Sequence, residues 1–200
     1  EIGFKSNQGL NSLEFTLFTN SYDNLLGADT AASGGGSDEL FNGGAIDISG
    51  FELYLRRILV DNGRIQIPLE LSWTSTNSEF QESFDGFWGE VSKGDELPYL
   101  PDTMIALNLG LTVDKLSANI SMKKTSEMRT VAGSGRIAES NATDELTIID
   151  LGLRYAFQDN IRLSVGINNF MDDDGIAARR PYGARPTMPR SFSLGVDYTF

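Results

Sequence analysis

The stretch that decides the fold is the last one, Ser191-Phe192-Ser193-Leu194-Gly195-Val196-Asp197-Tyr198-Thr199-Phe200. Phe192, Leu194, Val196, Tyr198 and Phe200 fall on one face, and Ser191, Ser193, Gly195, Asp197 and Thr199 on the other. Alternation kept up over a whole decapeptide predicts a β-strand with one apolar and one polar face. The same period runs backward through the chain. Ile161, Leu163, Val165 and Ile167 alternate with Arg162, Ser164, Gly166 and Asn168, and Leu151, Leu153, Tyr155 and Phe157 with Asp150, Gly152, Arg154 and Ala156. Further upstream it returns at Ile105–Val113, Leu116–Met122, Ile65–Trp73 and Phe51–Leu55, and less cleanly at Leu13–Leu17. The reading gives about nine strands, most of them near ten residues long.

The connections between them sort into two kinds. Short turns fall at Asn7-Gln8-Gly9, Asp61-Asn62-Gly63, Asp114-Lys115 and Gln158-Asp159-Asn160, where Asn, Asp and Gly tolerate the positive φ of tight hairpins. Long polar segments fall at 24–42, 76–100, 126–143 and 171–189. Short and long alternate strictly, as in outer-membrane barrels with short periplasmic turns and long extracellular loops. The apolar face carries Leu, Ile and Val at mid-strand. Trp73, Tyr155, Phe157, Tyr198 and Phe200 lie toward strand ends, in the pattern of a lipid band between aromatic girdles. The fold expected is therefore all-β, an antiparallel transmembrane β-barrel; the competing reading is a soluble acidic β-sandwich. Single-chain bacterial barrels close with an even strand number. Nine strands thus imply that residues 1–200 form the C-terminal part of a larger barrel.

Composition narrows the function. The 200 residues carry 16 Lys+Arg against 28 Asp+Glu, a net charge of −12, which disfavours nucleic-acid binding by bulk electrostatics. With no cysteine and no histidine, disulfides, thiol catalysis, Cys/His zinc sites and imidazole-based triads are excluded. An enzyme in a small barrel would lack its usual base, and no cofactor is called for. There is no basic-then-apolar leader at Glu1–Lys5, and no apolar run long enough for a spanning helix.

Four motifs then carry a resemblance. Leu163-Ser164-Val165-Gly166-Ile167-Asn168-Asn169-Phe170-Met171-Asp172 resembles the penultimate-strand "v-x-N-l-f-D" motif of TonB-dependent outer-membrane receptors. Tyr182-Gly183-Ala184-Arg185-Pro186-Thr187-Met188-Pro189-Arg190-Ser191-Phe192 resembles the "G-x-R-P-G-x-P-R" lead-in to their last strand. Lys93–Pro101 is similar to "G-x-x-l-P-y-l-P", and Gly50-Phe51-Glu52-Leu53 to "G-v-E-l". The Leu97–Pro101 stretch leans toward the ferric-citrate-type receptors. The resemblance implies a 22-stranded plugged barrel in the bacterial outer membrane. It implies energy-dependent uptake of a scarce ligand, a ferric chelate such as a siderophore or iron citrate. It also implies a plug and TonB-contacting box outside this sequence, and assembly partners that read Tyr198 and Phe200 as a terminal signal. A passive porin or adhesin barrel is the alternative.

Candidate ligand-binding residues follow from chemistry. Arg179, Arg180, Arg185 and Arg190 are the one dense group of cations, and guanidinium forks match carboxylates bidentately. The plainer role is pairing with Asp172, Asp173 and Asp174 or with acids in the lumen. Phe87 and Trp88, with Phe80 and Phe84, interleave with acids in the 76–100 segment and could grip a ligand; a folded-over loop core is the plainer role. Asp172–Asp174 could attract a divalent cation, but lack the alternating spacing of a loop site, so a solvated loop start is expected.

Overall fold

The computed structural model describes residues 1–24, 26–28, 40–86, 89–179 and 183–200. In chain order the strands are β1 (Ile2–Gln8), β2 (Asn11–Tyr22), β3 (Leu26–Ala28), β4 (Leu40–Asn42), β5 (Ile46–Asp61), β6 (Ile65–Phe80), β7 (Phe84–Gly86) and β8 (Gly89–Val91). There follow β9 (Thr103–Val113), β10 (Leu116–Thr125), β11 (Leu146–Gln158), β12 (Ile161–Asn168), β13 (Ile176–Ala178), β14 (Arg185–Pro186) and β15 (Ser191–Tyr198). Nine of them form one sheet in the order β1-β2-β5-β6-β9-β10-β11-β12-β15. Every neighbouring pair in it is antiparallel. The remaining strands form three small hairpins, β3–β4, β7–β8 and β13–β14, inside the long connections.

Turn chemistry sets the short end. At the β5–β6 turn the Asn62 side-chain oxygen accepts from the Arg64 and Ile65 amides at 3.1 and 2.8 Å. The Asp61 carboxylate accepts from Gly63 N at 3.2 Å, and Gly63 takes φ +81°. A side chain standing in for the missing ladder bonds is what lets two long strands reverse so tightly. At the β9–β10 turn Asp114 itself adopts φ +50°, and the Arg64 Nη2 reaches across to its carboxylate at 3.0 Å.

The register proves the face assignment. Trp73 pairs with Leu53 and Ile105, Leu71 with Leu55 and Leu107, and Leu69 with Leu109. Leu109 pairs in turn with Ile120, Ile120 with Leu151, and Leu151 with Ile167. The result is a continuous apolar surface. Phe51 and Trp73 meet edge-on at 4.9 Å toward its upper part, and Tyr198 and Phe200 do so at 4.9 Å near the short turns. The opposite face carries Lys5 bonded to Glu14 at 2.6 Å and Arg56 bonded to Glu70 at 3.3 Å. The apolar face stays uncovered: Leu194 is 85% exposed and Val196 70%. Apolar surface of that extent on a water-facing protein is an interaction face; on transmembrane barrels the outward apolar band is the lipid-facing side.

Two boundaries differ from the sequence expectation. The segment expected from residue 76 onward starts as strand, because β5 and β6 stay paired up to Ile46 opposite Phe80. The last strand stops at Tyr198, although the Thr199 amide still donates to Asn160 O at 3.0 Å. Strands β1 and β15 end the sheet order on its two sides, so the sheet is open.

Candidate functional site at the long-loop end

The buried apolar side chains among the described residues are Ile46, Phe80, Val91 and Ala142, and all lie at the long-loop end. Ile46 and Phe80 occupy lumen-face positions of β5 and β6, in step with Arg56 and Glu70. Phe84 meets Phe80 edge-on at 5.5 Å, and Ile48, Phe84, Leu97 and Ala132 pack around Ile46, Phe80 and Val91. The Phe80 amide donates to Asp95 O and the Gly94 amide to Phe80 O, both at 2.8 Å. The Leu97 amide donates to the Ser78 hydroxyl at 2.9 Å. Every anchor is a lumen-face residue, so the β7–β8 hairpin and the chain after it fold inward over the lumen. The aromatic residues Phe80 and Phe84 serve as a loop core. Phe87 and Trp88 lie outside the described residues.

A second layer is built on Arg129, whose side chain is 7% exposed. Its guanidinium donates to the Glu96 carboxylate at 2.7 Å and to Gly135 O at 3.1 Å. The Glu96 amide donates to Gly133 O and the Tyr99 amide to Arg129 O, each at 2.9 Å. A buried charge with two acceptors is satisfied, and it ties the 94–99 chain to the 126–145 segment. Asp102 lies below this pair. Its carboxyl is raised above the usual 3.8, first by burial and then by the Glu96 charge, against the lowering pull of Arg129. The pairing of Glu96 with Arg129 was not legible in advance; the available signal was an arginine in a segment otherwise poor in cations.

Arg179 closes the layer from the far side. Its Nε donates to Ala142 O in a short bond, and its Nη2 donates to Glu139 O at 2.9 Å. The Arg179 amide also donates to the Tyr99 hydroxyl at 3.4 Å. Tyr99 holds a left-handed φ of +59°, a conformation tolerated where neighbours fix it on several sides. Arg185 stands opposite Ala178 in the β13–β14 hairpin, one residue from Arg179, and is exposed. Arg180 lies outside the described residues. The structure thus brings Arg179 and Arg185 to one hairpin at the mouth, and gives Arg179 carbonyl partners instead of acids.

The Asp172–Asp174 run organises the approach to β15. Asp172 accepts from the Arg190 amide at 2.8 Å, and its carboxylate lies 3.6 Å from Nη2 of Arg190. Asp173 accepts from the Thr147 amide at 2.8 Å. Asn169 is buried and donates to Asp173 O and Met188 O at 2.9 and 2.8 Å. The expectation of a solvated start is corrected at Asp173, which pins β11 to this loop. No group of three or more acidic side chains that could hold a metal occurs among the described residues.

Comparison with known proteins agrees with this architecture. No curated protein matches the chain. Among solved structures, the ferric-catecholate import receptor Fiu of E. coli K12 superposes with a TM-score of 0.69 at 19% identity, over 95% of this chain and 25% of Fiu. The ferric yersiniabactin uptake receptor FyuA of Yersinia pestis gives 0.74 at 14%, over 99% of this chain and 29% of FyuA. A variant of the ferric enterobactin receptor PfeA of Pseudomonas aeruginosa, in complex with enterobactin, gives 0.67 at 18%, over 99% and 30%. The chain therefore spans between a quarter and a third of the length of these receptors. A family model described as TonB dependent receptor-like, beta-barrel, matches residues 1–170. With that match over most of its length, the chain belongs to the TonB-dependent receptor β-barrel family, whose place is the outer membrane of Gram-negative bacteria.

Proposed function

We propose that this chain is the C-terminal wall of a larger plugged barrel that takes up a scarce ferric chelate, with the plug and TonB-contacting box elsewhere in the receptor. The observation that carries the reading is the likeness of the sheet to three receptors, each named for a ferric chelate. The inward-folded loop layer supports it, because it narrows the mouth to a place where a ligand must meet side chains. Uptake is energised by the TonB complex, and the protein is a receptor and not an enzyme. Arg180 and Arg185 serve as anion partners of the chelate, and Phe87 and Trp88 as its apolar contacts. Arg179 acts by holding the loop that presents them. Leu97–Pro101, the stretch leaning toward ferric citrate, packs and bonds within the loop layer. Tyr198 and Phe200 serve as the terminal signal for the barrel-assembly machinery.

The test is uptake of radiolabelled ferric citrate and ferric catecholate by cells carrying the full-length receptor, with and without TonB. Accumulation of one chelate that vanishes without TonB is the expected result. Uptake indifferent to TonB contradicts the energised mechanism, and uptake of neither chelate contradicts the ligand class. Arg185→Gln should weaken binding about tenfold.

A further inference from the structure

One cation does not fit the lipid band. Arg56 faces the lumen and bonds Glu70, so Arg57, opposite Leu69, faces outward with Leu55 and Leu109. No ion pair or side-chain hydrogen bond of Arg57 occurs among the described residues. An arginine is costly at the bilayer midplane and tolerated near the interface. Arg57 stands four residues before the end of β5 at Asp61, on the order of 10 Å above the short turns at ordinary strand rise and tilt. That is the lower part of the apolar band, from which a side chain as long as arginine's reaches the headgroups.

Its surroundings are graded. In the register, the lowest outward row is Gln8–Asn11, and Arg57 stands one position past the last β2–β5 pair, Ser12–Arg56. The row above is Ser6–Leu13–Leu55, and the next is Phe4–Phe15–Leu53. Polar groups thus give way to apolar ones toward the bilayer centre, around a groove of about 370 Å³. A β-bulge between Ile58 and Val60 on the β6 side sits beside Arg57, and on the β2 side, past the last ladder pair, the Ile58 amide donates to Asn11 Oδ1 at 2.8 Å. Bulges re-aim side chains at sites of use. The patch is local, since the corresponding outward positions of β9 and β10 near their turn are Leu111, Val113, Leu116 and Ala118.

We propose that this outer groove at the short-turn end of β1, β2 and β5 binds an anionic phospholipid of the periplasmic leaflet. Arg57 and Gln8 meet the phosphate, and the acyl chains lie along Leu13, Leu55 and Phe4. A guanidinium with free donors is complementary to a phosphate. The apolar rows directly above it require chains that a free phosphate lacks.

The experiment is native mass spectrometry of the full-length receptor in mild detergent, titrated with phosphatidylglycerol. Wild type should retain one phosphatidylglycerol whose occupancy falls about tenfold in Arg57→Leu and only partly in Arg57→Lys. Inorganic phosphate at equal concentration should not displace it. Equal occupancy in wild type and a heat-modifiable Arg57→Leu overturns the proposal. So does displacement by inorganic phosphate, which marks a simple anion site. Loss of a dimer or of a co-purifying protein, with lipid unchanged, overturns it in favour of a protein interface. If Arg57→Leu loses its heat-modifiable migration, Gln8→Leu, which leaves β5 untouched, must lower the occupancy; no change there overturns the proposal.

Discussion

Leu153 and Gly152 are neighbours in β11 and face opposite ways, so they test the two sides of the wall at one height. Leu153 is 41% exposed on the apolar face. Leu153→Arg should cost roughly 1–2 kcal/mol of barrel stability, between the interface and midplane costs of a lipid-facing arginine, read by urea-dependent loss of heat-modifiable migration. Alternation alone makes Gly152 and Asn108 equivalent lumen positions, and the structure separates them. A Cβ at Gly152 would meet the Asn119 side-chain amide, so Gly152→Arg makes that amide turn aside and should cost somewhat more than a change at Asn108, yet less than Leu153→Arg. Asn108→Arg, beside Glu70, should be mild. Asp102 gives a pH prediction at the same scale. A carboxyl raised in the folded state contributes stability that is fully present below the usual 3.8 and lost as pH rises through its folded value. The Thr76 amide, bonded to Asp102 O at 3.0 Å, should exchange faster, relative to the intrinsic rate, as pH rises through that window. Asp102→Asn should remove the dependence; an unchanged pH profile would count against this origin. Asp102 is exposed to solvent, so the effect is small.

At the scale of elements, strands and loops were not equally legible. Period two fixed the strands, their faces and the four short turns, because each depends on residues adjacent in sequence. The loop layer depends on partners far apart: Arg129 and Glu96 are 33 residues apart, Arg179 and Ala142 are 37. No local pattern announces such pairings, and so Arg179 could be read as a ligand contact while its bonds to carbonyls stayed hidden. The same layer explains why the segment from residue 76 is ordered strand to Phe80 and not loop throughout. Its inward anchoring predicts restricted cleavage. Protease added to intact cells should cut only within the long connections, and should spare Phe80 and Asp95, whose backbones are bonded to each other. Cleavage at Asp114-Lys115 would invert the topology. Arg129→Ala, which leaves Glu96 and Gly135 O without their partner, should speed amide exchange at Glu96 and Tyr99 by the equivalent of about 1–3 kcal/mol, with little change at β10.

At the scale of the whole molecule, the outward apolar face and the open edges of β1 and β15 belong together. A sheet whose edge amides and carbonyls are unpaired in hydrocarbon loses several kcal/mol per group. Residues 1–200 expressed alone should therefore aggregate or fail to insert, whereas the full-length receptor should fold. A monodisperse, heat-modifiable monomer of the isolated chain would contradict this. Removal of Phe200, which lies beyond the end of β15 and touches Tyr198, should lower assembly of the full-length receptor without changing ligand binding.

The central claim is that one face of this sheet meets lipid and the other a water-filled lumen. The chain has no cysteine, so a single introduced cysteine carries the only label in it once any cysteine elsewhere in the receptor is replaced. Labels at Leu107, Asn108 and Leu109 of β9, in the full-length receptor in bilayers, should alternate in accessibility. Leu107 and Leu109 should be relaxed by oxygen dissolved in the lipid, and Asn108 by a water-soluble nickel chelate. Equal relaxation at all three positions, or the reverse alternation, would contradict the account.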